Sequence, residues 1–195
     1  MQLRVAATKL FALRGYAAVS LQDIADSVGV AKQTLLYHYP SKELLRRAVL
    51  DGVFDHWRTT LPAMLSAVTS GKRRLSALAD ELVRFFSKDR DRARILAREL
   101  LDNPKDTQRL LGESLRPWLL LLAEYIREGK KVGLMRGDVD PECYVLHVIL
   151  LVVANVANLS TISMTLNADG RAAGEIERRH MKELARLTRS ALFVR

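Results

Sequence analysis

Apolar residues recur along almost the whole chain with the 3.6-residue period of an amphipathic helix, and no stretch alternates with the two-residue period of a half-buried strand. That restricts the chain to an all-α fold. Leu3, Ala6, Ala7, Leu10 and Phe11 define a first helix, which Gly15 is placed to stop. Ser20 with Asp23 three residues on reads as a capping box; it opens a second helix carrying Leu21, Ile24, Ala25 and Val28 on one face, with Gly29 at its end. A third short helix spans 31–39 and stops before Pro40, because a proline disfavours helical geometry in the residue before it. Ser41 caps a fourth, expected to run to about Leu61, where Pro62 kinks or ends it. Further helices are expected near Arg74–Ser87, Asp91–Leu101, Thr107–Lys131, Pro141–Met164 and Glu175–Phe193. Their breaks fall at Ser70-Gly71, Asn103-Pro104, Gly133 with Gly137-Asp138, and Asn167 to Gly170, for about nine helices in all.

Near residue 47 very short helices give way to long ones, so residues 1–47 are expected to form one domain and residues 48–195 a second, larger one. The formal charge is +9, and residues 1–50 hold seven basic and three acidic side chains, a net +4 in a quarter of the sequence. The front is the denser cation, which favours a polyanionic partner there. A hydrophobic fraction of 49% is far above that of disordered chains. The lone Cys143 excludes an intrachain disulfide and a cysteine-cluster metal site, suits a reducing cytoplasm, and is expected to serve as a small buried hydrophobe. The most apolar run, Val148–Ala154, is far shorter than the roughly 18 residues of a membrane span, and Arg4 and Lys9 interrupt the N-terminus where a secretory signal would be apolar. A cytoplasmic protein with no membrane partner is expected. The four histidines, His38, His56, His147 and His180, fall on four different helices without the i, i+4 pairing of a zinc site, and no phosphate loop or nucleophile elbow is present. No metal, cofactor or catalytic activity is expected.

The segments Leu21–Val28 and Ala31–Tyr39, hinged at Gly29-Val30, have the pattern of a helix-turn-helix. In such a unit the N-terminal end of the second helix enters the major groove, and Lys32, Gln33 and Thr34 at that end can all hydrogen-bond base edges or phosphates. From periodicity alone this reading stands level with an ordinary helical hairpin whose outer face is solvated.

The residue string breaks the tie. Leu10-Phe11, Gly15-Tyr16, Ser20-Leu21, Asp23-Ile24-Ala25, Gly29-Val30, Lys32-Gln33-Thr34-Leu35 and Tyr37-His38-Tyr39-Pro40-Ser41-Lys42-Glu43 resemble, in order and spacing, the DNA-binding domain of the TetR family of transcriptional regulators. The resemblance covers about residues 3–50. It implies that Ser20 and Lys42 meet phosphates at the starts of the second and fourth helices, while Lys32, Gln33, Thr34, Tyr37 and His38 face the groove. Chemistry agrees for two of these, since Ser20 caps a helix whose free N–H groups favour an anion and Lys42 is a cation beside another helix start. Two departures stand out. The family usually has Tyr where this chain has Leu36, its aromatic lying one place on at Tyr37, and the sequence opens inside the first helix with no basic arm for the minor groove.

Beyond residue 50, Phe54, Trp57 and Leu61 fall on one stripe of the fourth helix, and Phe86 and Trp118 on later helices are candidates for a facing wall. Together they suggest a pocket, and the resemblance implies a ligand cavity among the helices behind the DNA-binding domain. The segment Val145–Leu159 is apolar almost all round and must be covered on every side. The resemblance implies that the last two helices pair across a two-fold axis, with Val152, Val156, Leu159 and Leu184 as expected interface residues. The function implied is that of a repressor that binds a palindromic double-stranded operator as a homodimer and is released by a small apolar effector. Two alternatives are an all-α carrier or scavenger whose DNA-binding half has decayed, and an enzyme on a helical bundle, for which no residue set has usable spacing.

Overall fold

The computed structural model describes residues 2–67, 71–166 and 172–194. Among these residues the structure has eleven helices and no strand, only an isolated bridge between Met135 and Phe193. The first four helices are α1 (Gln2–Arg14), α2 (Leu21–Ser27), α3 (Lys32–His38) and α4 (Lys42–Ala67). Ala7, Phe11, Ile24, Ala25, Leu35 and Leu45 form the buried centre of this head. The capping box is complete: the Asp23 N–H donates to Ser20 Oγ at 3.0 Å and the Ser20 N–H to Asp23 Oδ2 at 2.7 Å. At the far end of α2 the Gly29 N–H reaches the Asp26 carbonyl and the Val30 N–H the Ala25 carbonyl, the two bonds of a Schellman motif. Gly29 takes φ +69°, and a Cβ there would meet nothing within 4 Å. Backbone conformation alone therefore demands glycine at the hinge.

Helix α4 runs through the expected stop at Pro62 and through residues 47 and 48 without interruption. Pro62 and Arg58 are both exposed, so water can reach the Arg58 carbonyl that the missing N–H leaves free. Behind the head come α5 (Gly71–Lys88), α6 (Arg90–Asp102), α7 (Pro104–Ser114), α8 (Arg116–Lys131), α9 (Pro141–Ala157), α10 (Leu159–Leu166) and α11 (Ala173–Leu192). The breaks expected at Ser70 and at Asn167 to Gly170 lie outside the described residues.

Two helices expected as single are each divided. Thr107–Lys131 breaks at Leu115 because Pro117 lacks the N–H that would bond the Glu113 carbonyl; the proline sits instead in the first turn of α8, where no intrahelical bond is lost. Pro141–Met164 breaks at Asn158, whose backbone N–H and Nδ2 both converge on the Ala154 carbonyl, at 3.2 and 2.9 Å. The two parts, α9 and α10, meet at 72°. Among the described residues no single helix is long and apolar enough to cross a membrane.

The four residues expected at a subunit seam are inside the chain. Val152, Val156 and Leu184 belong to the core against Val53, Phe85, Phe86 and Ala93, and Leu159 is equally buried. Val152, Val156 and Leu159 lie on the stripe of α9–α10 that faces the body and Leu184 is buried on α11; a helix apolar on all sides gave no sign of which stripe of α9 that would be. The large apolar side chains left exposed on these helices are Leu150 and Leu151 on α9, Met164 and Leu166 on α10 and Leu187 on α11. Cys143 is also exposed, being the third residue of α9. Its N–H donates to the capping Asp140, and the neighbouring carboxylate pushes the thiol above its ordinary pKa.

Helix α6 joins head to body. It packs on α1 and on α9. Ile95 enters the head core, and Arg98 Nε donates to the Ala12 carbonyl at 3.0 Å while its Nη2 donates to that of Leu13, occupying acceptors at the end of α1. One turn further in, Glu99 accepts from Arg46 Nε at 2.9 Å and from Arg46 Nη2 at 2.5 Å. Arg46 Nη1 reaches Asp106 on α7 at 3.1 Å, and Asn103 Nδ2 adds a bond to Glu99 at 3.3 Å. With Glu99 only 3% exposed, this ion pair is a buried bolt between α4 and α6.

Candidate nucleic-acid interface and apolar cavity

Helix α3 is anchored by one buried side chain, Leu35, with Leu36 half-buried beside it. The remaining positions face outward: Lys32, Gln33, Thr34, Tyr37 and His38 are all exposed, Tyr37 at 84%. All five groove candidates are therefore on the solvent side of α3 and none is in the core of the head. Ser20 is exposed at the start of α2, where its hydroxyl both accepts from the Asp23 N–H and donates to the Asp23 carboxylate at 2.8 Å. Those bonds from Ser20 hold the Asp23 carboxyl below its ordinary pKa, so an anion meeting Ser20 also meets a fixed negative charge.

Lys42 opens α4, and its Nζ lies 4.2 Å from the centre of the Tyr16 ring. The Tyr16 hydroxyl donates to Glu43 Oε1 at 2.8 Å, and burial together with that carboxylate pushes the phenol up to about 12. A neutral ring thus holds the lysine ammonium through a cation–π contact and leaves its three N–H donors for an outside acceptor. Tyr16 is a positioning group that the sequence pattern contained without revealing its role, since nothing in the spacing says that the turn after α1 folds under the start of α4.

Behind the head, Phe54, Trp57, Leu61, Phe86 and Trp118 all line one partly open cavity of about 140 Å³ formed by α4 to α9. Two faces of α4 are therefore buried. Leu45 and Val49 point to the head core, and Phe54, Trp57 and Leu61 to the cavity. Among the described residues the lining has no charged side chain, and its only hydroxyls are Thr107, Ser114 and Tyr144. Leu96 and Leu100 of α6 are part of it, one residue from Ile95 and Glu99, which face the head. The stretch Ile95-Leu96-Ala97-Arg98-Glu99-Leu100 contained a signal for this arrangement: a carboxylate one turn after an apolar residue on an inward face requires a buried cation. His56, expected on the inward face of α4, lies beside the cavity. Its Nε2 is 3.1 Å from Glu81, its ring stacks on Phe85 at 4.4 Å, and burial, with Arg92 and Arg84 near, holds its pKa below the ordinary value.

A family model described as bacterial regulatory proteins, tetR family, matches residues 3–49, and one described as a tetracyclin repressor-like C-terminal domain matches residues 72–184. The chain belongs to the TetR family of helix-turn-helix transcriptional regulators. It is 34% identical over 95 residues to the transcriptional activator FasR of Mycolicibacterium smegmatis, a match over 49% of this chain and 43% of that protein. This chain thus spans less than half the length of that relative. It is 29% identical over 147 residues to the transcriptional repressor KstR2 of the same organism, over 71% of this chain and 67% of the other. The structure of the regulator FadR from Bacillus subtilis in complex with stearoyl-CoA shares the fold, with a TM-score of 0.74 and 17% identity over 98% of each chain.

Proposed function

We propose that this regulator is a repressor that grips a palindromic operator as a homodimer through residues 1–47 of each subunit, and that a small apolar effector in the α4–α9 cavity releases it. One observation carries the reading. The two helices that line the cavity from the head side, α4 and α6, are the two that hold the head, through Leu45, Arg46, Ile95 and Glu99. Sites for ligands of drug size are about 300–1,000 Å³, so a cavity of about 140 Å³ admits one ring or a short chain as it stands. A larger effector must part the helices, and parting them moves the heads. Such an effector favours the arrangement that accommodates it and shifts the population towards it. The acyl ligand of the similar FadR supports an apolar effector class.

Both tryptophans of the chain, Trp57 and Trp118, line the cavity, so intrinsic fluorescence reads its occupancy directly. The test is titration of lipophiles of graded size, with and without a duplex selected from random sequence. Ligands that change the tryptophan signal should lower operator affinity, more so as they grow, and operator must weaken their binding by the same factor. Ligands that fill the cavity and leave operator affinity unchanged would refute the coupling.

Within the head, contacts should divide by chemistry. Thr34→Ala or Gln33→Ala should relax preference at particular base pairs, by about 1–3 kcal/mol where a good base contact is lost. Lys42→Ala should weaken binding to all sequences alike and lower the slope of affinity against salt by about one. Binding measured on selected and scrambled duplexes at several salt concentrations checks both.

A further inference from the structure

The three hydroxyls of the cavity are not equivalent. Thr107 Oγ1 donates to the Glu99 carbonyl at 2.8 Å, and the Tyr144 hydroxyl donates to the Thr188 carbonyl at 2.8 Å, so the protons of both are committed to the protein. Ser114 is different. It is 7% exposed and lies on the same face of α7 as Thr107, two turns on. Among the described residues its hydroxyl donates to nothing. Its one partner is another donor, Arg58 Nη2 on α4, at 3.4 Å. The other arm of that guanidinium, Nη1, is held by Asp55 at 2.6 Å, which keeps the Nη2 arm turned towards Ser114. Two donors from two helices thus meet between α4 and α7 at one edge of the cavity, Ser114 in its lining and the half-exposed Arg58 guanidinium just outside it.

A nearly buried hydroxyl with an uncommitted proton beside a guanidinium N–H is a place for an acceptor oxygen. Trp57 and Trp118 on the same lining can only donate. We propose that the effector is not a plain hydrocarbon: it carries one sp² oxygen, a carbonyl or a carboxylate, that accepts from Ser114 and Arg58 while its apolar body fills the space between Trp57, Phe86 and Trp118. This rests on the effector reading above and adds the chemical class of the ligand. Without a donor, burying a carbonyl is unfavourable, and the cavity would prefer the hydrocarbon. With the pair in place the preference reverses.

The probes are 1-tetralone and tetralin, which differ by one carbonyl on the same two-ring frame, and 1-naphthoate as the anionic arm, all titrated calorimetrically into the intact protein. The wild type should bind 1-tetralone or 1-naphthoate about tenfold more tightly than tetralin, a ratio within reach of one or two good hydrogen bonds. The tighter of the two acceptor ligands identifies whether the oxygen is neutral or charged. Ser114→Ala and Arg58→Met should each bring the ratio to one or below, and Ser114→Thr, which keeps the hydroxyl, should retain it. If tetralin binds the wild type as tightly as both oxygen-bearing ligands, or if Ser114→Ala leaves the ratio intact, the acceptor site is wrong while the apolar effector stands. If none of the three ligands binds, the effector reading falls with it.

Discussion

Replacing Glu99 with alanine is expected to lower the stability of the protein by about 3–5 kcal/mol, because it leaves the Arg46 guanidinium buried without its partner. Arg46 is itself only 8% exposed, and the remaining carboxylate, Asp106, is exposed and reached by one nitrogen alone. The double replacement Arg46→Met with Glu99→Leu should be far milder, since two apolar side chains of similar volume avoid the desolvation of both charges. Urea unfolding of Arg46→Met, Glu99→Leu and the double variant checks this through the coupling energy of the cycle, with Glu99→Ala measured beside them. Equal losses for Glu99→Ala and for the double variant would show that the pair is not a unit.

Leu151→Glu, and separately Leu187→Glu, should convert a dimer of about twice the 22.0 kDa chain into monomers and lower operator affinity by a factor of roughly 10²–10⁴, the avidity that linking two heads supplies. These residues stand exposed on α9 and α11, so a charge there should be tolerated by the isolated chain and not by an apolar seam. Val152→Glu is the informative contrast. That side chain has no exposed surface, and the substitution should abolish folding rather than association. Sedimentation and thermal unfolding separate the two outcomes: a Leu151→Glu protein that remains a dimer and binds operator normally would move the seam elsewhere.

The head was legible in the sequence because its signals are local. Ser20 and Asp23 cap within one turn, Gly29 needs a left-handed backbone, and Leu35 is the one apolar residue of α3 that a short helix must bury. The candidates on α3 came from their place at its N-terminal end and from the family resemblance; a helix pinned at Leu35 is consistent with them, since it leaves Gln33 and Tyr37 on the side away from the core. The cavity residues on α4 were legible as a stripe, because Phe54, Trp57 and Leu61 repeat at helical spacing.

What the sequence left open depended on partners far away in the chain. Tyr16 meets Lys42, Arg46 meets Glu99 and Ser114 meets Arg58 across separations that no local period encodes. The helix breaks at Leu115 and Asn158 were hidden for another reason. Apolar periodicity continues through both, and only Pro117 and the amide of Asn158, which competes for the Ala154 carbonyl, interrupt the backbone. The inner and outer stripes of α9 could not be told apart because valine and leucine occur on both. Burial assigns Val152 and Val156 to one and Leu151 to the other.

The space behind Trp57 is also a mechanical property of the molecule. A void of about 140 Å³ walled by aromatic and aliphatic groups is where a densely packed interior is softest, because its lining lacks contact atoms on one side. A ligand bound there, as proposed, would stiffen the body at the place where α4 and α6 lean on it. The same helices carry the head, so under the proposed coupling the compliance of a few side chains would set how freely the heads of a dimer could change their separation.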